Sequence, residues 1–260
     1  MLGRARDSLD RFGRGAAAWI LGREPRLHRI PFGPLKGRRI FTSFEISPRM
    51  YLGIHEPWVA GLAAKRAKPG DVVYDVGAHI GYMTLLFAQT VGGTGAVHSF
   101  EIVPSVAEAF LRRTVEASPF TNVVIHNVGI SSHEESVLLP VGPRQMTSLD
   151  YRATPGQTME RCRATKLDDY VARHGLPAPN LLKIDAEGAE VGVLEGGEEL
   201  IRSTRPEMII EFHTIRLLTL GYHRLQSWGY RLVTRSSGDV TPLMLSRTDQ
   251  FREPVLCLPE

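Results

Sequence analysis

Three short stretches hold residues whose types and spacing can do chemistry. In "VVYDVGAHIGYMTLLFAQ" (72–89) a β-branched run enters a loop carrying Asp75, Gly77 and Gly81, and the loop opens into an apolar helix. Glycines there let backbone N–H groups approach a ligand, and a following helix aims its N-terminal amides at whatever is bound. In "AVHSFE" (96–101) a second strand ends in Glu101, 20 residues after Gly81, where a carboxylate can accept hydrogen bonds from both hydroxyls of a ribose. In "LLKIDAEGAE" (181–190) Lys183, Asp185 and Glu187 share one face at the two-residue period of an extended chain.

The loop reads D-x-G-x-x-x-G and lacks the middle glycine with which G-x-G-x-x-G brings a pyrophosphate onto a helix. An acidic residue beside the ligand suits a cationic or ammonium-bearing group better than a diphosphate. S-adenosylmethionine, with a sulfonium, an ammonium and no phosphate, fits those charges.

The elements that must position these residues alternate from residue 70 onward, β-rich runs with helical ones, which argues for an α/β fold on a parallel sheet. Seven strands are expected, near 72–77, 96–101, 122–128, 181–186, 207–213, 230–235 and 254–259. The last two are joined by the turn-rich "SSGDVTPL" alone and are expected to pair antiparallel. Ser105 and Glu108 have the spacing of a capping box starting the helix that ends before Pro119, and another helix runs from about Thr214 to Trp228. Residues 131–165 break the rhythm with two extra short strands, "ESVLLPV" and "RCRATKL", and read as an insertion on the domain 51–260. In such a sheet the ligand sits where strand order reverses, here between 72–77 and 181–186.

"YLGIHEP" (51–57), "DVGAHIGYMT" (75–84), "FEIVP" (100–104), "NVGIS" (127–131), "TSLD" (147–150), "KLDDY" (166–170) and "LLKIDAEGAEVGVLEGG" (181–197) together resemble the FkbM family of S-adenosylmethionine-dependent O-methyltransferases. The resemblance implies a class I methyltransferase fold: a Rossmann-like three-layer sandwich with a seven-stranded, mostly parallel sheet and an antiparallel last strand. It implies methyl transfer to a hydroxyl of a small molecule, often a sugar or a natural-product scaffold. By position, Asp75, Gly77, Ala78 and Gly81 would cradle the methionine part, Glu101 the ribose, and Asn127 with Val128 the adenine side. Ile102 and Val103 depart from the shorter acidic–proline junction common in the family.

Methyl transfer to an alcohol needs in-line alignment and removal of the hydroxyl proton. Asp185 and Glu187 are the first candidates to orient the acceptor or take that proton, His213 is the second choice for base, and Glu211 ends the same strand run as His213. A structural reading stands beside this one: Lys183 and Asp185 as an ion pair, Glu190 capping the next helix or solvated, His213 a hydrogen-bonded bystander. The set Asp185, Glu187, Glu211 and His213 has the oxygen-rich character of a magnesium site, Asp185 and Glu211 foremost. Glu56, Trp58 and Ser148 are candidates to close over the acceptor, with loop packing as the equal alternative.

Composition sets the frame. A 260-residue chain that is 43% apolar and 23% charged can bury a sizeable core. Cys162 and Cys257 are too few for a disulfide scaffold and read as packed thiols, so a reducing, cytoplasmic setting is expected. The net charge of +3 is uneven: residues 1–40 carry ten Arg or Lys against Asp7, Asp10 and Glu24. Residues 1–50 form a basic extension, with a helix expected from about 4 to 21. Its apolar "GAAAWILG" is too short to span a bilayer, while Trp19, Ile20 and Leu21 beside several arginines suit peripheral contact with an anionic membrane. No other chemistry is legible in residues 1–50 or 131–165.

Three competitors are weighed. A nucleic-acid methyltransferase would want an Asp/Asn-Pro-Pro-aromatic turn after the fourth strand, which is lacking, so no nucleic-acid partner is expected. A nicotinamide oxidoreductase is disfavoured by the loop spacing. A noncatalytic or membrane-peripheral module that keeps the fold is opposed by the intact acidic positions.

Overall fold

The computed structural model describes residues 22–141, 158–236, 238–246 and 253–260. The helix expected over 4–21 and Ser148 lie outside the described residues. An N-terminal hairpin pairs β1 (Arg26–Arg29) with β2 (Arg39–Thr42). Two helices follow, α1 (Pro48–Leu52) and α2 (Pro57–Arg66). Then come β3 (Val72–Val76), α3 (Tyr82–Val91) and β4 (Ala96–Phe100). Helix α4 is continuous through Pro104–Val106, a π-helical turn Ala107–Leu111 and Arg112–Glu116.

The chain continues through β5 (Val123–His126), β6 (Gly129–Ile130), β7 (Glu135–Pro140), β8 (Met159–Thr165), α5 (Leu167–His174) and β9 (Leu181–Ile184). Next are α6 (Glu190–Gly196), α7 (Glu198–Thr204), β10 (Glu207–Ile210), α8 (Ile215–Ser227) and β11 (Tyr230–Thr234). The last elements are β12 (Gly238–Asp239), α9 (Pro242–Ser246) and β13 (Val255–Pro259).

The central sheet runs β12-β11-β13-β10-β9-β3-β4-β5. Strands β5, β4, β3, β9 and β10 are parallel, and β13 slots between β10 and β11 antiparallel to both, as expected for the last pair. The sheet has eight strands where the sequence reading expects seven, because the turn after β11 folds back far enough for the two-residue β12 to pair with Val233 and Thr234. Order reverses at β3, whose neighbours are β4 and β9.

Alternation along each strand splits its side chains between two cores, as a sheet covered on both faces requires. Val73, Leu181, Ile209 and Leu256 pack in one core with α2 and α3, while Tyr74, Leu182, Met208 and Cys257 pack in the other with α6 and α8. Ile30, Leu35, Ile40 and Met50 of the first fifty residues belong to the first core, so the hairpin is packed onto the same body. Both cysteines are buried free thiols.

One local expectation is corrected. Ser105 does not cap α4: Pro104 occupies the first turn after Val103, and Ser105 instead gives its N–H and its hydroxyl (2.5 Å) to the Glu160 carboxylate of β8. The cap is therefore supplied by tertiary contact, and Glu108 pairs with Arg112 on the exposed face. The stretch 131–165 does contain the two extra strands, but they form their own three-stranded sheet, β6-β8-β7, beside the main one.

Candidate functional site

A cavity of about 320 Å³ opens at the carboxyl ends of β3, β4 and β9, where the strands give way to loops. β3 and β4 end one residue, and β9 two residues, earlier than the long-strand reading, which leaves Gly77, Glu101 and Asp185 just past their strands. Gly77 has φ +80°, and a Cβ on it would stand 1.8 Å from the Asp185 carbonyl oxygen, so the β3 and β9 loops meet backbone to backbone. Its N–H and that of Ala78 both donate to Phe100 O at 3.0 Å. Gly77 and Ala78 line the cavity with His79, which has φ +51°. Gly81 lies behind it, packed on Leu111 and Thr114 of α4.

Glu101 is 6% exposed and lines the cavity. Its two oxygens accept the N–H groups of His79 (2.8 Å) and Val103 (2.9 Å). Burial pushes its carboxyl up to about 7, against the pull of those two bonds. A carboxylate offers about four lone-pair sites, so two backbone bonds leave acceptor capacity for a ligand. Beyond it Phe100, Ile102, Val103, Val128 and Ile130 make an apolar wall, closed where the Ile102 side chain presses on Gly129. Val128 stands in that wall, whereas Asn127 is exposed and turns its amide onto Glu101 O at 2.8 Å. Asn127 thus holds the Glu101 loop and does not line the cavity.

Asp75 requires a correction. The sequence reading sets it beside the ligand, but its carboxylate is buried in β3, accepts Thr84 Oγ1 at 2.7 Å and does not line the cavity. Its other oxygen has no hydrogen bond and relies on the Lys183 ammonium 3.5 Å away. Lys183 is itself 4% exposed and also reaches Asp185 Oδ2 (3.3 Å) and Gly77 O (3.2 Å). Burial disfavours its charge, yet Asp185 first, then Asp75, Glu56 and Glu211, hold its ammonium well above the usual lysine range. The ion-pair reading of Lys183 and Asp185 therefore describes the geometry, with Asp75 as a third member.

Asp185, Glu187 and Glu56 line the opposite end of the cavity; Glu211 and His213 are not among its lining residues. His213 places Nε2 3.1 Å from Glu187 and 3.7 Å from Asp185 Oδ1, and Nδ1 2.8 Å from Glu190. Burial alone would lower its pKa, but the bonds to Glu187 and Glu190 outweigh it and lift it to about 11. An imidazolium with both nitrogens facing carboxylates has no lone pair with which to take a proton, so the expectation of His213 as second-choice base is set aside. Glu190 is 0% exposed and accepts the Gly188 N–H at 2.8 Å; it neither solvates nor merely caps α6. Its role is to tie His213 to the loop in which Glu187 sits at φ +47°.

Glu211 is lifted to about 7 by burial, then by Asp185 and Glu56, with Lys183 and His213 opposing. Burial would raise Glu56 as well, but the His55 imidazole 2.8 Å away brings it below the ordinary carboxylate range. Oxygens of Glu56, Asp185 and Glu211 lie within 4.8 Å of one another, as do ligand atoms of Asp185, Glu187 and His213. The second set has its imidazole nitrogens committed to carboxylates, and Lys183 already supplies a buried cation to the first.

Sequence reasoning missed the wall contributed by Ile46, Ser47, Met50 and His55. Its only trace is the motif "YLGIHEP", and nothing in spacing shows that Gly53 O receives the Tyr82 hydroxyl (2.9 Å) and so ties this segment to the start of α3. Trp58, grouped with Glu56 in the sequence reading, packs against the core instead.

A family model described as the methyltransferase FkbM domain matches residues 75–232. The chain is 29% identical to a 31-O-demethyl-FK506 methyltransferase, FkbM, of Streptomyces tacrolimicus, over 57% of this chain and 67% of that one. It is 26% identical to the hexuronic acid methyltransferase AglP of Haloferax volcanii, over 60% of this chain and 61% of that one. Among solved structures, a methyltransferase FkbM from Methylobacillus flagellatus superposes with a TM-score of 0.51 at 17% identity, over 80% of this chain and 52% of that one. The chain thus spans about two thirds of these curated relatives and about half of that solved chain.

Proposed function

The chain belongs to the FkbM methyltransferase domain family, and from that premise we propose that it moves a methyl group from S-adenosylmethionine to a hydroxyl of a small oxygenated molecule, a sugar or a glycosylated product. The observation that carries the reading is Glu101, a buried carboxylate with spare acceptor capacity between a backbone loop and an apolar wall. That donor set fits a nucleoside: Glu101 for the ribose hydroxyls, the wall of Ile102 and Val128 for the base, and the Gly77–Ala78 loop for the amino-acid end.

When bound, S-adenosylmethionine supplies an electrophilic methyl on a cationic sulfur. The protein's own work is at the other end. Asp185 lines the cavity; its Oδ2 is taken by Lys183, and its Oδ1 lies 3.7 Å from His213 Nε2. We assign Asp185 Oδ1, with Glu187 beside it, to hold the acceptor hydroxyl and take its proton as the oxygen's lone pair forms the new C–O bond. Lys183 holds Asp185 in place through Oδ2, and His213 fixes Glu187 through Nε2. The names of the two relatives, one of a demethyl-FK506 and one of a hexuronic acid, support an oxygen acceptor on a small molecule.

Calorimetric titration with S-adenosylmethionine and S-adenosylhomocysteine, with NADH alongside and Glu101→Gln as control, tests the cofactor assignment. Micromolar binding that collapses in the variant is expected. A folded protein that binds neither would overturn the reading in favour of a noncatalytic module that has kept the fold.

A further inference from the structure

The N-terminal hairpin and the segment that walls the cavity carry three of the exposed large apolar side chains among the described residues: Leu27 (42%), Phe32 (58%) and Ile54 (50%). Single exposed apolar residues are ordinary, so their placement decides. A Cβ on Gly53 would stand 2.1 Å from Phe32 O, and one on Gly33 1.9 Å from Gly53 O; the backbones that present Phe32 and Ile54 are in contact. The Ile54 N–H bonds Arg49 O, and the exposed Arg49 is close enough to Glu56 to lower its pKa. Phe32, Ile54 and Arg49 therefore flank the segment whose Ser47, Met50 and Glu56 line the cavity.

The charge around the hairpin and this rim is mostly positive, with Glu24, Glu45 and Glu56 as the acidic exceptions. Arg29 and Arg39 are cross-strand partners in the hairpin, both exposed, and Lys36 is exposed in its turn. Exposed aromatic and aliphatic tips ringed by arginine and lysine fit a surface that is anionic outside and apolar just beneath. No helix among the described residues is long and apolar enough to cross a bilayer, so the attachment this surface fits is peripheral.

We infer that the Phe32–Ile54–Arg49 rim, with the hairpin cations beside it, docks on an anionic lipid surface and turns the cavity mouth toward it. The lipid contact stands apart from the transfer reading. Its consequence rests on that reading: an acceptor hydroxyl displayed at a lipid surface.

The test is sedimentation of the full chain with vesicles of equal parts phosphatidylglycerol and phosphatidylcholine, against phosphatidylcholine alone, at low and high salt. Binding to the anionic vesicles only, weakened by salt and about tenfold weaker in Phe32→Ser/Ile54→Ser, is expected. Arg29→Glu/Lys36→Glu/Arg39→Glu should abolish it. No binding, equal binding to neutral vesicles, or binding untouched by the serine substitutions would overturn the inference. A wild-type dimer split by those same substitutions would overturn it too, assigning the rim to a second copy. Should a variant not fold, hydrogen exchange on the unmodified protein decides: anionic vesicles should protect the amides of residues 29–36 and 49–54, and unchanged exchange there refutes the contact. S-adenosylhomocysteine binding read in parallel separates failure of the surface from failure of the methyltransferase reading.

Discussion

The two ends of the cavity are built by different means. The end after β3 and β4 is mostly backbone, with glycine positions, two amides on the Phe100 carbonyl and one carboxylate, Glu101, fixed by neighbouring N–H groups. The end after β9 and β10 is mostly side-chain charge: Asp185, Glu187, Glu190, Glu211 and Glu56 balanced by Lys183 and His213. Backbone sites are specified by one local stretch each. A charge network is specified only when distant stretches meet, and its members set one another's ionisation.

The largest expected effect falls on the residue that joins the two ends. Lys183→Met leaves Asp75 buried with its neutralising cation gone and is expected to cost about 3–5 kcal/mol in a urea melt. A loss below about 1 kcal/mol would mean that the network is less interdependent than the comparison holds. Next comes Gly77→Ala, at the seam of the two loops. With φ +80° and the Asp185 carbonyl in the way, about 2–3 kcal/mol of stability should go, together with binding of S-adenosylhomocysteine.

Glu101→Gln sharpens the contrast, because it touches the backbone-built end alone. Binding of S-adenosylhomocysteine should weaken by about 2 kcal/mol, some thirtyfold, with stability little changed. A variant that binds normally would remove the single observation on which the cofactor assignment rests.

The last contrast is a pH dependence carried by His213. Its pKa is lifted from 6.5 to about 11 on folding, so its contribution is complete below 6.5 and fades as pH rises through 11. The melting temperature should fall between pH 7 and pH 10, and His213→Gln should flatten that slope. A slope unchanged by the substitution would mean that the imidazole is not held as a cation, and would reopen its candidacy as base.

What was legible follows the same division. The parallel sheet, the antiparallel last pair and the helices at 82–91 and 215–227 follow from alternation, turn residues and caps. Glu101 is legible because strand end and spacing coincide. Asp75 was misplaced because a period-2 pattern says that it alternates but not which face holds the cavity. Its burial became visible only with Thr84 and Lys183 against it. The capping box at Ser105 failed for a related reason: a carboxylate from β8 outcompeted the local one.

The sequence by itself determined the class of fold and the backbone-built end of the cavity, because strand alternation, glycine conformation and the interval from Gly81 to Glu101 act within a few tens of residues. The tertiary structure alone decided which carboxylates meet Lys183, that both His213 nitrogens face carboxylates, and that residues 46–56 wall the cavity. Those properties depend on burial and on charges brought within a few ångströms from separate stretches, Asp75 and Lys183 more than a hundred residues apart, and no local pattern encodes that distance.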